Sequence, residues 1–175
     1  MPDKTILFLT GMPASGKTYW GEKIAQQYSL QLTDLDDFIV THEQASMQAL
    51  FAQYGEQGFR EREHKHLKKV INTASGITVV ACGGGTPCFC DNMQLMKAAG
   101  SVIYLEADID TLLANLKESE TARPMLNNRG DLAVYLYGLL QKRKVFYEQA
   151  HYILHAKDIS LTTFGEIIAS CINKQ

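Results

Sequence analysis

The sequence predicts an α/β fold: three layers, α/β/α, built on a mostly five-stranded parallel sheet. Three observations carry that expectation. Short β-rich apolar runs alternate with segments of helical periodicity along all 175 residues, the pattern of repeated β–α units whose helices cover both faces of a sheet. The runs are nearly continuous in hydrophobicity, as in strands buried on both faces. The composition, 46% hydrophobic and 21% charged, is that of a chain with one sizeable core.

Taken in order, Thr5 to Thr10 (TILFLT) is the first strand, Gly11 to Thr18 a glycine-bounded loop, and Tyr19 to Tyr28 the helix behind it. Leu30 to Asp34 reads as a short second strand. Thr41 with Gln44 fits a capping box that opens a helix reaching about Gln53. A longer helix runs from Glu56 to about Ala74 and ends at Gly76. Ile77 to Cys82 (ITVVAC) is the third strand, halted by Gly83-Gly84-Gly85, and Asp91 with Gln94 caps a short helix. Ser101 to Leu105 (SVIYL) is the fourth strand. Ile109, Leu112, Leu113 and Leu116 then recur as a helical stripe. The polar stretch over about 118–131 reads as a lid loop, Leu132 to Gln149 as a helix and His151 to His155 as the last strand. Thr163 with Glu166 opens a closing helix that carries Phe164, Ile167, Ile168 and Ile172. No repeat or linker interrupts this order, so a single domain over 1–175 is expected.

Seventeen Lys and Arg against nineteen Asp and Glu give a net charge of −2, which supplies no general attraction to nucleic acid or an anionic membrane. No apolar run reaches the roughly 18 residues of a membrane span, and Met1 to Lys4 shows no signal-peptide pattern. A cytoplasmic monomer is expected. Cys82, Cys88, Cys90 and Cys171 are spaced unlike a zinc framework, and read as reduced, partly buried thiols.

The strongest chemical signal is Gly11-Met12-Pro13-Ala14-Ser15-Gly16-Lys17-Thr18, which fits G-x-x-x-x-G-K-[ST] between a strand and a helix. Loop N–H groups and the helix N-terminus form a nest for phosphate oxygens. Lys17 reaches the β- and γ-phosphates of a nucleoside triphosphate, and the Thr18 hydroxyl ligates Mg²⁺. The third strand ends without a carboxylate, so the acid on the metal side must come from elsewhere. Asp34 and Asp36 end the second strand, where i and i+2 share a face. One would assist Mg²⁺ through water and the other accept a substrate proton, while Asp37 reads as a helix cap. Gly83, Gly84 and Gly85 allow close backbone approach to a ligand.

Arg60 and Arg143 extend the apolar stripes of their helices, and a core-facing arginine needs an anionic partner. From position alone, that partner is either a structural acid or a substrate carboxylate. Arg123, before Pro124 in the polar loop, is a candidate lid arginine for the transferring phosphate. The run Arg60-Glu61-Arg62-Glu63-His64-Lys65-His66 reads as a mixed-charge helix face with both histidines at the surface.

In order along the chain, GMPASGKT, DLD at 34–36, EQGFRERE at 56–63, ACGGGTPC at 81–88, ARPML at 122–126 and KRKVFY at 142–147 resemble the shikimate kinase family, small P-loop enzymes of aromatic amino-acid biosynthesis. The resemblance implies ATP-dependent phosphorylation of the 3-hydroxyl of shikimate. It assigns Gly11 to Thr18 to ATP, with Lys17 and Thr18 on ATP–Mg²⁺, and Asp34 to the metal side and the substrate neighbourhood. Asp36 becomes the holder of ring hydroxyls and the base, and Arg60 and Arg143 the grip on the shikimate carboxylate. Gly83 to Gly85 line the substrate, and Arg123 is the lid residue on the phosphates. Ala14 departs from the family's middle glycine, which suits a negative φ there. Val145 replaces a proline often found at that place. Thr86-Pro87-Cys88 varies the usual continuation. A gluconate kinase is the neighbouring enzyme reading, and a catalytically silent nucleotide-binding module the non-enzyme one. Nucleoside-monophosphate kinases fit less well, for want of a base-recognition segment.

Overall fold

The computed structural model describes residues 4–118 and 132–173. Its elements run β1 (Thr5–Thr10), α1 (Lys17–Tyr28), β2 (Gln31–Asp34), α2 (Leu35–Glu43), α3 (Met47–Thr73), β3 (Ile77–Ala81), a 3₁₀ turn (Thr86–Cys88), α4 (Asn92–Ala99), β4 (Ser101–Glu106), α5 (Ile109–Glu118), α6 (Leu132–Tyr147), β5 (Tyr152–His155) and α7 (Leu161–Ile172). The five strands pair in parallel in the order β2-β3-β1-β4-β5, the expected α/β architecture.

β1 lies at the centre of the sheet, with Leu7 opposite both Val79 and Ser101. Its residues alternate between two cores, as the period of a strand requires. Ile6 and Phe8 pack on one face with Leu35 and Ile39 of α2, Phe59 and Leu67 of α3, and Met96 of α4. Leu7 and Leu9 pack on the other with Ile24 of α1 and Phe164 and Ile167 of α7. A third cluster joins Met12, Tyr104, Leu112, Leu136 and Tyr147 where α5 and α6 cover the C-terminal ends of the strands. Among the described residues, no helix is long and apolar enough to cross a membrane.

The helix starts differ from the sequence reading in a consistent way. Asp34, not Asp37 or Thr41, caps α2: its Oδ1 accepts from the Asp36 N–H at 3.0 Å and the Asp37 N–H at 3.4 Å. The chain is therefore helical from Leu35, which leaves Thr41 near the helix end and Gln44 in a left-handed turn (φ 53°). Ser46 caps α3 through the Ala49 N–H, and Ser160, not Thr163, caps α7. Asp91 itself is left-handed (φ 55°) and gives α4 no side-chain cap. Inside α3, Gly55 (φ 65°, ψ −175°) breaks the helical path, so its second arm begins at Glu56, where the long helix was expected.

Candidate active site

The loop after β1 is shaped for an anion. Gly16, at φ 89°, begins α1 without a side-chain cap, leaving the helix N-terminus open toward the loop. Ser15 is buried, and its Oγ has no hydrogen-bond partner among the described residues. The buried Lys17 ammonium donates to the carbonyls of Met12 at 2.8 Å and Gly11 at 3.1 Å. Asn115 of α5 donates to the Ala14 carbonyl at 2.9 Å and ties the loop down. Ala14 has φ 64°, so the negative φ expected of an alanine here is not found. The nest keeps the left-handed geometry of a glycine in spite of the methyl group.

Thr18 and Asp34 meet at the open edge of this loop, the Thr18 hydroxyl donating to Asp34 Oδ2 at 2.9 Å. Two hard oxygen donors beside a phosphate nest are the set that suits Mg²⁺. Asp36 does not share a strand face with Asp34. β2 ends at Asp34, and Asp36 lies in the first turn of α2, from which it lines a separate pocket.

That pocket is walled by Pro13, Asp36, Phe59, Arg60, Glu63, Gly83, Gly84, Gly85, Tyr135, Leu139 and Arg143, with Met47 and Phe51 at its side. Arg60 comes from the second arm of α3 and is 6% exposed. Its Nη1 donates to Glu63 Oε2 at 2.9 Å, and its guanidinium lies 4.4 Å from the Phe89 ring centroid. Of the two partners left open for Arg60, the structural acid is therefore present, and the arginine faces the pocket as well. Arg143 reaches the pocket, half-buried, from α6. α6 continues unbroken past the exposed Val145 to Tyr147. Gly84 is in tight contact on one side. A Cβ there would lie 3.0 Å from Pro13 Cδ and 3.2 Å from Arg143 Nη1, so the phosphate loop and the pocket share this wall. Arg123 and the lid stretch 119–131 lie outside the described residues.

Sequence reasoning missed contributors in three places. Glu63 is 1% exposed and also accepts from the Thr86 hydroxyl at 2.7 Å; its signal was its place one turn after Arg60 on the inward stripe. His66 is buried and its Nε2 is 2.7 Å from Glu43 Oε1, while His64 Nδ1 lies 2.6 Å from Asn92 Oδ1. Neither histidine is a free surface residue, because this arm of α3 is covered by neighbouring elements on more than one side. The hydrogen bond with His66 holds the Glu43 carboxyl below its usual pKa, against burial and with help from Arg62. The third is Tyr147, whose hydroxyl donates to the Gly84 carbonyl at 2.6 Å. The four cysteines are free thiols, two of them buried.

A phosphate nest at a helix N-terminus, sharing a wall with a pocket of arginines and carboxylates, defines a P-loop kinase for a small acceptor. The family model described as Shikimate kinase matches residues 13–174. The shikimate kinase of Phocaeicola vulgatus is 38% identical over 157 residues, 89% of each chain. That of Azobacteroides pseudotrichonymphae is 35% identical over 170 residues, 96% of this chain and 98% of the relative. Among solved structures, shikimate kinase from Bacteroides thetaiotaomicron superposes with a TM-score of 0.88 at 31% identity, covering 94% of this chain and 98% of that one. The Acinetobacter baumannii shikimate kinase in complex with shikimate gives 0.83 at 28% identity, covering 95% and 93%. The chain belongs to the shikimate kinase family. It is a kinase that uses ATP to phosphorylate shikimate.

Proposed function

We propose that the pocket bounded by Asp36, Arg60, Arg143 and Gly83 to Gly85 seats shikimate, with ATP held by Gly11 to Thr18. The observation that carries this assignment is the shared wall. Pro13 of the nest and Arg143 of the pocket both pack against the same side of Gly84, so donor and acceptor sites adjoin without an intervening element. Arg60 and Arg143 grip the acceptor carboxylate. Asp36 holds the ring hydroxyls, with Asp34 beside it on the metal side, and Asp36 takes the proton of the 3-hydroxyl as that hydroxyl's oxygen bonds to the γ-phosphorus. The bond from the γ-phosphorus to the bridging oxygen breaks and ADP departs. Lys17, the α1 N-terminus and the lid residue Arg123 stabilise charge on the moving phosphoryl group. Thr18 and, through water, Asp34 would hold Mg²⁺, which would supply neutralisation of the phosphate charge.

On this reading one chain provides every site residue, as a single-domain monomer needs no partner subunit to complete catalysis. Four free thiols suit the reducing cytoplasm, and a net charge of −2 suits small-molecule substrates rather than nucleic acid or a membrane surface.

The test is an ADP-release assay with shikimate and, separately, gluconate. Shikimate alone should be turned over, with dependence on Mg²⁺, and Arg143→Met should raise the shikimate KM by about 100-fold, as loss of a bidentate charged contact does. An Arg143→Met enzyme with wild-type KM defeats the clamp assignment, and comparable kcat/KM on gluconate defeats the acceptor assignment.

A further inference from the structure

The Gly83-Gly84-Gly85 turn faces the acceptor pocket, and its carbonyls are held in two different ways. The Gly83 carbonyl accepts from the Thr86 N–H at 3.1 Å and the Gly85 carbonyl from the Cys88 N–H at 2.9 Å, both local turn bonds. The Gly84 carbonyl accepts from the Tyr147 hydroxyl at 2.6 Å, a bond spanning 63 residues of sequence. Tyr147 ends α6 and is 0% exposed, its ring stacked on that of Tyr104 with centroids 5.0 Å apart. A phenol carried this deep into an apolar cluster requires a polar partner. Here the partner is the main chain of the pocket wall. Burial pushes the Tyr147 hydroxyl above the usual tyrosine range, opposed in part by Arg143, so it stays protonated and donates.

Three structural features meet at Gly84. Pro13 of the nest and Arg143 of the pocket press on its Cα side, and Tyr147 holds its carbonyl. Arg143 and Tyr147 stand four residues apart on α6, hence on one face. A peptide flanked by glycines rotates with little steric resistance. Because the peptide unit is planar and trans, pinning its carbonyl also sets the opposite direction of the Gly85 N–H. We propose that Tyr147 is a positioning residue for shikimate binding: its hydroxyl fixes the plane of the Gly84–Gly85 peptide and so the wall against which Arg143 and the acceptor lie. The inference rests on the assignment of this pocket to the acceptor.

Tyr147→Phe keeps the ring and its stacking and removes the hydroxyl, and with it the bond to the Gly84 carbonyl and the contacts with the Met12 sulfur at 3.9 Å and with Arg143. It should raise the shikimate KM about 5- to 20-fold, the range for a buried carbonyl left unpaired, with kcat and the ATP KM within about twofold of wild type. Tyr104→Phe removes a hydroxyl from the stacked partner without touching Gly84, and should leave the shikimate KM within about twofold. An unchanged shikimate KM in Tyr147→Phe overturns the proposal. So does a loss confined to kcat, or an equal rise of KM in Tyr104→Phe, which would mark a general loosening of the core. Should Tyr147→Phe fail to fold, a crystal structure of the wild-type enzyme with shikimate decides. A retained bond from Tyr147 to the Gly84 carbonyl upholds the role, and a broken one ends it. If Arg143→Met raises the shikimate KM while Tyr147→Phe does not, the pocket assignment stands and the Tyr147 role alone falls.

Discussion

Glu63→Ala exposes how the pocket's arginine is kept in place. The Arg60 and Glu63 side chains are 7% and 1% exposed and meet at 2.9 Å. Removing one partner of a buried ion pair leaves an uncompensated charge, at a cost of about 3–5 kcal/mol. The Thr86 hydroxyl, which donates to the other Glu63 oxygen at 2.7 Å, loses its acceptor too and adds about 1 kcal/mol. Against this, Arg60 keeps Glu56 at 3.6 Å, an acid that is 63% exposed and therefore weakly coupled, and keeps the Phe89 and Phe59 rings beneath its guanidinium. The balance is a loss of about 3–5 kcal/mol, or a fall in Tm of about 6–20 °C for a domain of this size. Urea unfolding followed by far-UV circular dichroism at neutral pH measures it. The double variant Arg60→Met/Glu63→Leu removes both charges, and apolar replacement of a buried pair is neutral or stabilising in many proteins. Most of the stability should return while shikimate binding stays lost. A Glu63→Ala loss under about 1 kcal/mol would show that the pair is not effectively buried. A double variant as unstable as the single one would assign the loss to the cavity rather than to the stranded charge.

Two further predictions concern the loop and the acid limb of stability. Ala14→Gly relieves a left-handed alanine at φ 64°, worth about 1–2 kcal/mol, against about 0.4–1 kcal/mol of added freedom in the unfolded chain. A net gain of about 0.5 kcal/mol is expected in thermal unfolding, and a net loss would mean the loop carries no strain there. Asp108 accepts from the Thr111 N–H at 2.8 Å and pairs with Lys157 at 3.3 Å; its contacts with Thr111, and then Lys157, pull its carboxyl down to about 2. Because that folded-state pKa lies below the unfolded one, the contribution is complete above about pH 4. It is lost as pH falls from there toward 2, so Asp108→Asn should flatten that part of the stability profile. An acid titration with the same slope in wild type and variant would refute the assignment.

The sheet was legible because every interior strand is buried on both faces and so writes itself as an uninterrupted apolar run, as TILFLT and SVIYL do. The phosphate loop was legible for a different reason. Its chemistry depends on main-chain geometry that only a particular glycine spacing allows. Helix starts were less readable, because a capping pattern such as Thr41 with Gln44 is local, whereas the start of α2 is decided by where β2 ends. Asp34 stands at that junction and caps the helix with one oxygen while meeting Thr18 with the other. Glu63 and His66 were hidden in a run of alternating charges. Nothing in the run itself marks which side of α3 is covered, since that depends on Glu43, Thr86 and Asn92 arriving from distant parts of the chain.

The net charge of −2 also conceals how the cations of the site are held before any ligand arrives. Lys17 is 5% exposed and Arg60 6%, and an ammonium or guanidinium buried that far must be neutralised or solvated from within. Lys17 is solvated by the carbonyls of Gly11 and Met12, neutral dipoles that a phosphate oxygen outcompetes, since a full negative charge bonds an ammonium more strongly than a carbonyl does. Arg60 is instead neutralised by the carboxylate of Glu63. An incoming carboxylate gains little by displacing a group of the same charge, so Arg60 is expected to keep Glu63 and to offer its remaining N–H groups. The two cations thus prepare their ligands differently. Lys17 is expected to exchange carbonyl for phosphate oxygens when the nucleotide binds, whereas Arg60 is expected to stay oriented by the acid it already holds. The double variant that restores stability should accordingly leave the acceptor without its grip, because orientation and charge are supplied there by the same pair.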